Sequence, residues 1–210
     1  MTFIVHHLNE SRSQRVLWLL EELGASYEVK RYERNATTRL APPELKAIHP
    51  LGKSPVVTKD GKTLAESGAI VEFLAESEAG GKLAVAPGQA DRAAYLYWLH
   101  FAEGSAMLPL LLKLYVGMMG EAGAPLMQMR IEPEIDNHLS FANEALGAND
   151  WFVGNRFSAA DIEMSFVLDA ANARGGLARY PNLVRARAAQ QARPAYQRAL
   201  ERGGEYKMGQ

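Results

Sequence analysis

His49-Pro50-Leu51-Gly52-Lys53-Ser54-Pro55-Val56-Val57-Thr58-Lys59-Asp60-Gly61-Lys62-Thr63-Leu64-Ala65-Glu66-Ser67-Gly68-Ala69-Ile70 is the stretch that decides the fold. Pro50 pushes His49 out of the helical region, so the short helical segment that opens at Pro42-Pro43-Glu44-Leu45 must end there. Val56-Val57-Thr58 and Thr63-Leu64-Ala65 flank Asp60-Gly61, a dipeptide that accepts positive φ and so favours a tight antiparallel hairpin. A last helix runs from Ser67 through Ile70, Val71, Phe73 and Leu74. Pro55 enters a strand after a glycine turn. It is either part of an ordinary turn or a cis proline, because its ring removes a ladder donor and cis bonds are nearly confined to X-Pro. A cis bond would turn the backbone of Ser54 toward a ligand, where an extended peptide could pair with it.

Upstream, Phe3-Ile4-Val5 reads as a strand. From Arg12 the residues Val16, Leu17, Leu19, Leu20 and Leu23 keep helical spacing up to a stop at Gly24, and Tyr27 to Tyr32 alternates as a second strand. The order βαβ, α, ββα makes residues 1–79 a small α/β domain with a mixed sheet. Residues 80–89 shift to glycine, proline and small side chains, the composition of a linker. Residues 90–210 carry only helical periodicity and are expected to form an all-α bundle, with Pro109 and Pro133 as kinks or breaks. In Phe157-Ser158-Ala159-Ala160-Asp161-Ile162, Ser158 caps a helix, Asp161 reaches back to the cap amide, and Phe157 packs on Ile162.

A chain of 210 residues with 48% hydrophobic and 22% charged residues has the profile of an ordinary globular protein with room for two modest domains. Its formal net charge of -1 and scattered Lys and Arg offer no basic face for a phosphate backbone, so nucleic acid is not an expected partner. No window reaches the roughly 18 apolar residues of a membrane span, and the first residues show no charged leader; a cytoplasmic location without a membrane partner is expected. Cysteine is absent, so any thiol chemistry must come with a ligand. No metal is expected: His6 and His7 face apart on a strand, and His49, His100 and His138 lack ligand spacing. No nucleophile-elbow motif is present.

Three clusters carry polar chemistry. Asn9-Glu10-Ser11-Arg12-Ser13-Gln14-Arg15 lies between the first strand and the first helix, where backbone amides and the helix dipole favour an anion. Its serines either cap the helix or donate to an incoming thiolate. The second cluster surrounds Ser54-Pro55. The third, Glu66-Ser67, puts a carboxylate and a hydroxyl at a helix start; Ser67 can be a plain cap, and the pair also suits an amino-acid zwitterion.

In this order, and joined by the Phe157–Ile162 box, the clusters resemble the cytosolic glutathione transferase superfamily, especially bacterial and fungal members with a Ser-Arg-Ser-x-Arg start, here residues 11–15. The resemblance spans nearly the whole chain. It implies a thioredoxin-like first domain, a helical second domain and a twofold homodimer. Glutathione would be a cosubstrate, with no tightly bound cofactor. It also implies conjugation of the glutathione thiolate to small hydrophobic electrophiles, accompanied by glutathione-dependent peroxidase activity. The alternative is a non-catalytic glutathione- or protein-binding module on the same fold.

Carried over by residue, Ser11 stabilises the thiolate, four residues before Arg15. Ser54 pairs through its backbone with the cysteinyl unit, ahead of cis Pro55. Glu66 and Ser67 hold the γ-glutamyl amine and carboxylate, and Lys53 with Arg39 meets the glycyl carboxylate; Asp161 is structural. No tyrosine precedes Tyr27 and no cysteine exists, so serine is assigned partly by elimination, with Ser13, Asn9 and Arg12 as alternatives. The double-serine-cysteine motif of the maleylacetoacetate isomerase branch is missing. Tyr97, Phe101, Leu108, Leu112 and Tyr115 recur at helical spacing, a pattern more often found in cores. Asn9, Arg12, Phe101 and Leu108 are assigned to the electrophile pocket.

Overall fold

A computed structural model describes residues 2–120, 125–174 and 176–209. The N-terminal part consists of β1 (Phe3–Leu8), α1 (Ser13–Leu23), β2 (Tyr27–Tyr32), α2 (Glu44–Ile48), β3 (Val56–Lys59), β4 (Lys62–Ala65) and α3 (Ser67–Ser77). One sheet has the order β2-β1-β3-β4, with β1 and β2 parallel and the other two pairings antiparallel, a mixed sheet as expected. The register sets Phe3 opposite Tyr27 and Leu8 opposite Tyr32, so β1 runs three residues beyond the apolar triplet that signals it. Those extra residues carry His6 and His7 to the sheet end where the first polar cluster begins.

Local chemistry explains the joints. Gly24 ends α1 in the left-handed region at φ 65, and its amide bonds back to Glu21. Asp60 and Gly61 both take positive φ, 52 and 74, as a two-residue hairpin whose twist matches its strands requires. The Ser54–Pro55 bond is cis.

The C-terminal part holds α4 (Arg92–Phe101), α5 (Met107–Met118), α6 (Pro125–Leu146), α7 (Ala159–Ala173), α8 (Pro181–Gln191) and α9 (Pro194–Gly203). A π turn, Ala102–Ala106, joins α4 to α5, with the Met107 amide bonded to the Ala102 carbonyl five residues back. Pro109 has no amide to donate and its ring crowds the carbonyl four residues earlier, so the helix widens just before it. Pro133 does not break its helix: α6 continues through it to Leu146.

The predicted capping box forms at α7. Asp161 Oδ2 accepts from the Ser158 amide at 2.8 Å and from its hydroxyl at 3.0 Å, while Oδ1 accepts from the Phe152 amide at 2.9 Å.

One continuous apolar core runs from the sheet and α1 through α3 and α4 to α7 and α9. The segment expected to be a linker is anchored to it: Leu83, Ala84 and Val85 are buried, and the Leu83 carbonyl accepts from the Ala159 amide at 2.9 Å. No helix among the described residues is long and apolar enough to cross a membrane.

Candidate active site

A cavity of about 560 Å³ opens where the β1–α1 loop, the cis proline, the start of α3 and the π turn meet. Six residues of the three polar clusters line it: Arg12, Lys53, Ser54, Pro55, Glu66 and Ser67. His49, Leu51, Glu72, His100 and Glu103 complete much of the wall. The Ser54 hydroxyl is committed to β1, donating to the His6 carbonyl at 2.8 Å and accepting from the Leu8 amide at 3.2 Å. Its backbone is therefore what it can offer a ligand.

Ser67 is the first residue of α3 rather than its cap, the cap position being Glu66 at φ 71. The Ser67 hydroxyl donates to Glu163 Oε1 at 3.0 Å and accepts from Arg15 Nη1 at 3.3 Å. Its single proton is thereby used, leaving the helix-start amides to meet an anion. Arg15 and Glu163 are fully buried and pair at 3.0 Å, and Arg15 also pairs with Glu103. Burial weighs against the Arg15 charge, but Glu163 and Glu103 outweigh it and raise the guanidinium pKa above its usual value. Burial pushes the Glu163 carboxyl up, with Arg15 opposing. Glu103 is also pushed up by burial, yet Arg15 and Arg12 prevail and hold it below the usual carboxylate range. Two arginines and two carboxylates thus balance in charge beneath the cavity, drawn from both halves of the chain.

Arg12 Nε donates to both oxygens of Glu103 at 2.8 Å, so its charge is already compensated. Asn9 Oδ1 accepts from the Arg34 amide at 2.9 Å. Ser11 is buried and is not among the residues that line the cavity; its hydroxyl lies 2.7 Å from that of Ser13, which lies 2.8 Å from His7 Nδ1. Neither serine places a side-chain cap on α1; the Ser13 amide donates to Ser11 Oγ at 3.3 Å.

The structure does not gather every candidate. Arg39 sits exposed at φ 59 in the loop after β2 and is outside the cavity lining. Phe101 instead lines a second, more apolar cleft of about 820 Å³ with Tyr97, His138 and Phe141, which shares His100 and Gly104 with the first. Leu108 and Tyr115 are exposed and line neither. Among the described residues no cluster of His, Asp and Glu could hold a metal ion. Glu103 and Glu163 do not stand out in the sequence. For Glu163 the available signal is a helix, Ala159–Ala173, that is largely apolar on all sides, so that its acidic residues Asp161, Glu163 and Asp169 must find buried partners.

Residues 2–76 match the family described as "Glutathione S-transferase, N-terminal domain", and residues 107–194 match "Glutathione S-transferase, C-terminal domain". The chain is 34% identical over 181 residues to "Glutathione S-transferase 3" of Schizosaccharomyces pombe, covering 80% of this chain and 74% of that one. It is 35% identical over 188 residues to "Glutathione S-transferase 1" of Saccharomyces cerevisiae, covering 80% of each. Among solved structures, a glutathione S-transferase from Actinobacillus pleuropneumoniae superposes with a TM-score of 0.88 at 30% identity, over 100% of this chain and 96% of that one. A sphingomonad glutathione S-transferase complexed with glutathione gives 0.80 at 26% identity, over 96% and 98%.

Proposed function

The chain belongs to the glutathione S-transferase family and is a glutathione transferase, and from that premise we propose how its own residues bind the tripeptide and activate its thiol. The observation that carries the reading is the convergence of Lys53, Ser54, cis Pro55, Glu66 and Ser67 on one cavity. Glu66 takes the γ-glutamyl ammonium, and the amides at the start of α3 take its carboxylate. The Ser54 backbone pairs with the cysteinyl unit, and Lys53 meets the glycyl carboxylate; Arg39 reaches it only if its loop closes inward.

A free thiol with a pKa of about 8.5 is only a few per cent thiolate at neutral pH. Lowering it by about two units requires about 2.7 kcal/mol of preferential stabilisation of the anion. One charge-assisted hydroxyl donor contributes roughly 1.5–3 kcal/mol and the dipole of α1 a further ~0.3–1 kcal/mol. Ser11 is the donor. Of its rivals, Arg12 is paired with Glu103, and Ser13 is wholly buried and bonded to Ser11. Asn9, whose Oδ1 accepts from the Arg34 amide, keeps its Nδ2 donor and is the alternative that Asn9→Ala would test. Holding thiolate and electrophile together supplies the rest of the rate. Arg12 borders the electrophile, and Phe101 offers apolar surface in the adjoining cleft. The exposed Phe73, Tyr97 and Phe141 favour burial against a second copy in a twofold dimer, which light scattering would register.

The test combines binding and turnover. The parent should be retained on immobilised glutathione and turn over at least one of an aryl halide, an epoxide or a hydroperoxide. The Glu66→Ala/Ser67→Ala variant should lose retention; equal retention of the two proteins would remove the γ-glutamyl assignment.

A further inference from the structure

Ser11 is the front of a buried hydrogen-bonded chain. His7 Nδ1 lies 2.8 Å from Ser13 Oγ, and Ser13 Oγ lies 2.7 Å from Ser11 Oγ. The three residues are 4%, 0% and 5% exposed, so no bulk water competes for their protons. The Ser13 amide can only donate to Ser11 Oγ, and the Leu8 carbonyl, 3.3 Å from Ser13 Oγ, can only accept. Each serine has a single proton, so three arrangements are self-consistent, one of them having Ser13 donate to the Leu8 carbonyl while it accepts from both His7 and Ser11; only one of the three frees the Ser11 proton. With His7 bare at Nδ1, Ser13 donates to His7 and Ser11 donates to Ser13; the outer side of Ser11 then presents a lone pair that would repel a thiolate. With the proton on Nδ1, His7 donates to Ser13 and Ser13 can donate to Ser11; the Ser11 proton is then free to point outward.

We propose that His7 and Ser13 are positioning residues for Ser11, and that binding of a thiolate in front of Ser11 selects the His7 tautomer protonated at Nδ1. The inference rests on the assignment of Ser11 as the thiolate donor. In the thiolate-bound chain the donors run in one direction, from His7 through Ser13 and Ser11 to sulfur, and each bond polarises the next. The ring stays neutral throughout: only the nitrogen bearing the proton changes, and the protein's net charge is unaltered. The ring is buried and Arg31 on β2 opposes a positive charge on it, so it carries one proton; the Gly203 carbonyl at the end of α9, which can only accept, holds that proton on the nitrogen away from Ser13 until a thiolate binds. A side chain at Gly203 would begin 3.4 Å from His7 Cε1 and 2.9 Å from Gln14 Oε1, so α9 closes the inner end of the chain.

Two measurements test this on the full-length protein. The first is ultraviolet titration of the thiolate of bound glutathione in the parent, Ser11→Ala, Ser13→Ala and the double variant. Ser13→Ala should shift the thiol upward and lower turnover near neutral pH about threefold or more, the size of one hydrogen bond. In the Ser11→Ala background the same substitution should do nothing further. His7→Leu should resemble Ser13→Ala, whereas His7→Asn, which keeps a donor near the Nδ1 position, should restore most of the loss. The second is the nitrogen NMR signature of the His7 ring in the parent, which needs no variant. It should move toward the Nδ1-protonated form when glutathione saturates the site. If Ser11→Ala shifts the thiol and Ser13→Ala does not, or if the Ser13 effect persists undiminished without Ser11, the chain has no positioning role. A His7 tautomer unchanged by glutathione would likewise overturn the proposal. A thiol unmoved by Ser11→Ala itself would instead show that the donor assignment beneath it is wrong.

Discussion

Ser67 and Glu163 stand 96 positions apart in the sequence and 3.0 Å apart in space, the hydroxyl of one donating to the carboxylate of the other. Through this bond the start of α3, at the edge of the cavity proposed for glutathione, is fastened to the helical domain. Arg15 completes the joint, with its Nε and Nη2 and Glu163 Oε2 lacking partners among the described residues. Such a joint is costly to break from one side only.

Glu163→Ala should therefore destabilise the fold by about 3–5 kcal/mol, because it removes from Arg15 its only fully buried counter-charge among the described residues. Glu163→Gln keeps an acceptor for Ser67 and should cost less. Urea denaturation of both variants, with Arg15→Met/Glu163→Leu as a third, would check this. If the apolar double variant is less stable than Glu163→Ala alone, the pair contributes more than its desolvation costs and the expectation fails.

The α7 box gives a second stability ranking. Ser158→Ala removes one hydroxyl contact and should cost about 1 kcal/mol. Asp161→Ala strips the acceptor from the buried amides of both Ser158 and Phe152, at about 1–3 kcal/mol each, so it should cost clearly more. Thermal melts of the two variants settle the order; equal melting temperatures would mean that the Phe152 amide finds water instead.

His7 supplies a pH signature. Burial first, and Arg31 second, lower its pKa from 6.5 to about 4. The unfolded chain binds a proton near pH 6.5 while the folded one resists until about pH 4, so stability is lost as pH falls through that window. A shift of that size corresponds to about 3 kcal/mol in full. His7→Asn has no such group, so the stability gap between parent and variant should move in the variant's favour between pH 7 and pH 4. Parallel urea midpoints at the two ends would show that the ring is not held neutral.

What the sequence disclosed and what it withheld divide along range. The hairpin at Asp60-Gly61, the stop at Gly24 and the Ser158–Asp161 box depend on residues within a few positions of one another, and their chemistry has few alternatives. The cis bond at Ser54–Pro55 is one of two arrangements the local sequence permits, and the strand after it needs no amide from the proline. By contrast, Arg15, Glu103 and Glu163 are separated by 88 and 148 positions in their pairings, and only tertiary packing brings them together. The same limit explains why Leu108 and Phe101, alike in helical spacing, part company. The π turn between α4 and α5 rotates α5 relative to α4, so Phe101 faces a cleft and Leu108 faces solvent. Ser67 reads as a cap because hydroxyls at helix starts usually serve their own helix; here a carboxylate from α7 outcompetes the local amide.

Ser11 should also leave its mark on the pH dependence of catalysis. If its hydroxyl donates to the glutathione thiolate, Ser11→Ala should leave affinity for the tripeptide nearly intact, since in the proposed binding mode Glu66, the α3 amides, Ser54 and Lys53 hold its ends and backbone. Turnover near neutral pH should fall by about tenfold or more, matching a charge-assisted donor of roughly 1.5–3 kcal/mol, with little change in the glutathione KM. The defect should shrink as pH rises, because above the shifted thiol pKa the anion forms without help and the variant's rate climbs toward that of the parent. A loss that stayed constant up to about pH 9.5, well above the free thiol's pKa of about 8.5, would mean that Ser11 contributes to geometry rather than to ionisation. A fall in affinity with turnover preserved would move it from the chemistry to the binding of the peptide. Rate profiles from neutral pH to that limit, with glutathione saturating for both proteins, separate the three cases. Arg12→Ala run alongside should show only a small ionisation effect, because Glu103 already neutralises that guanidinium.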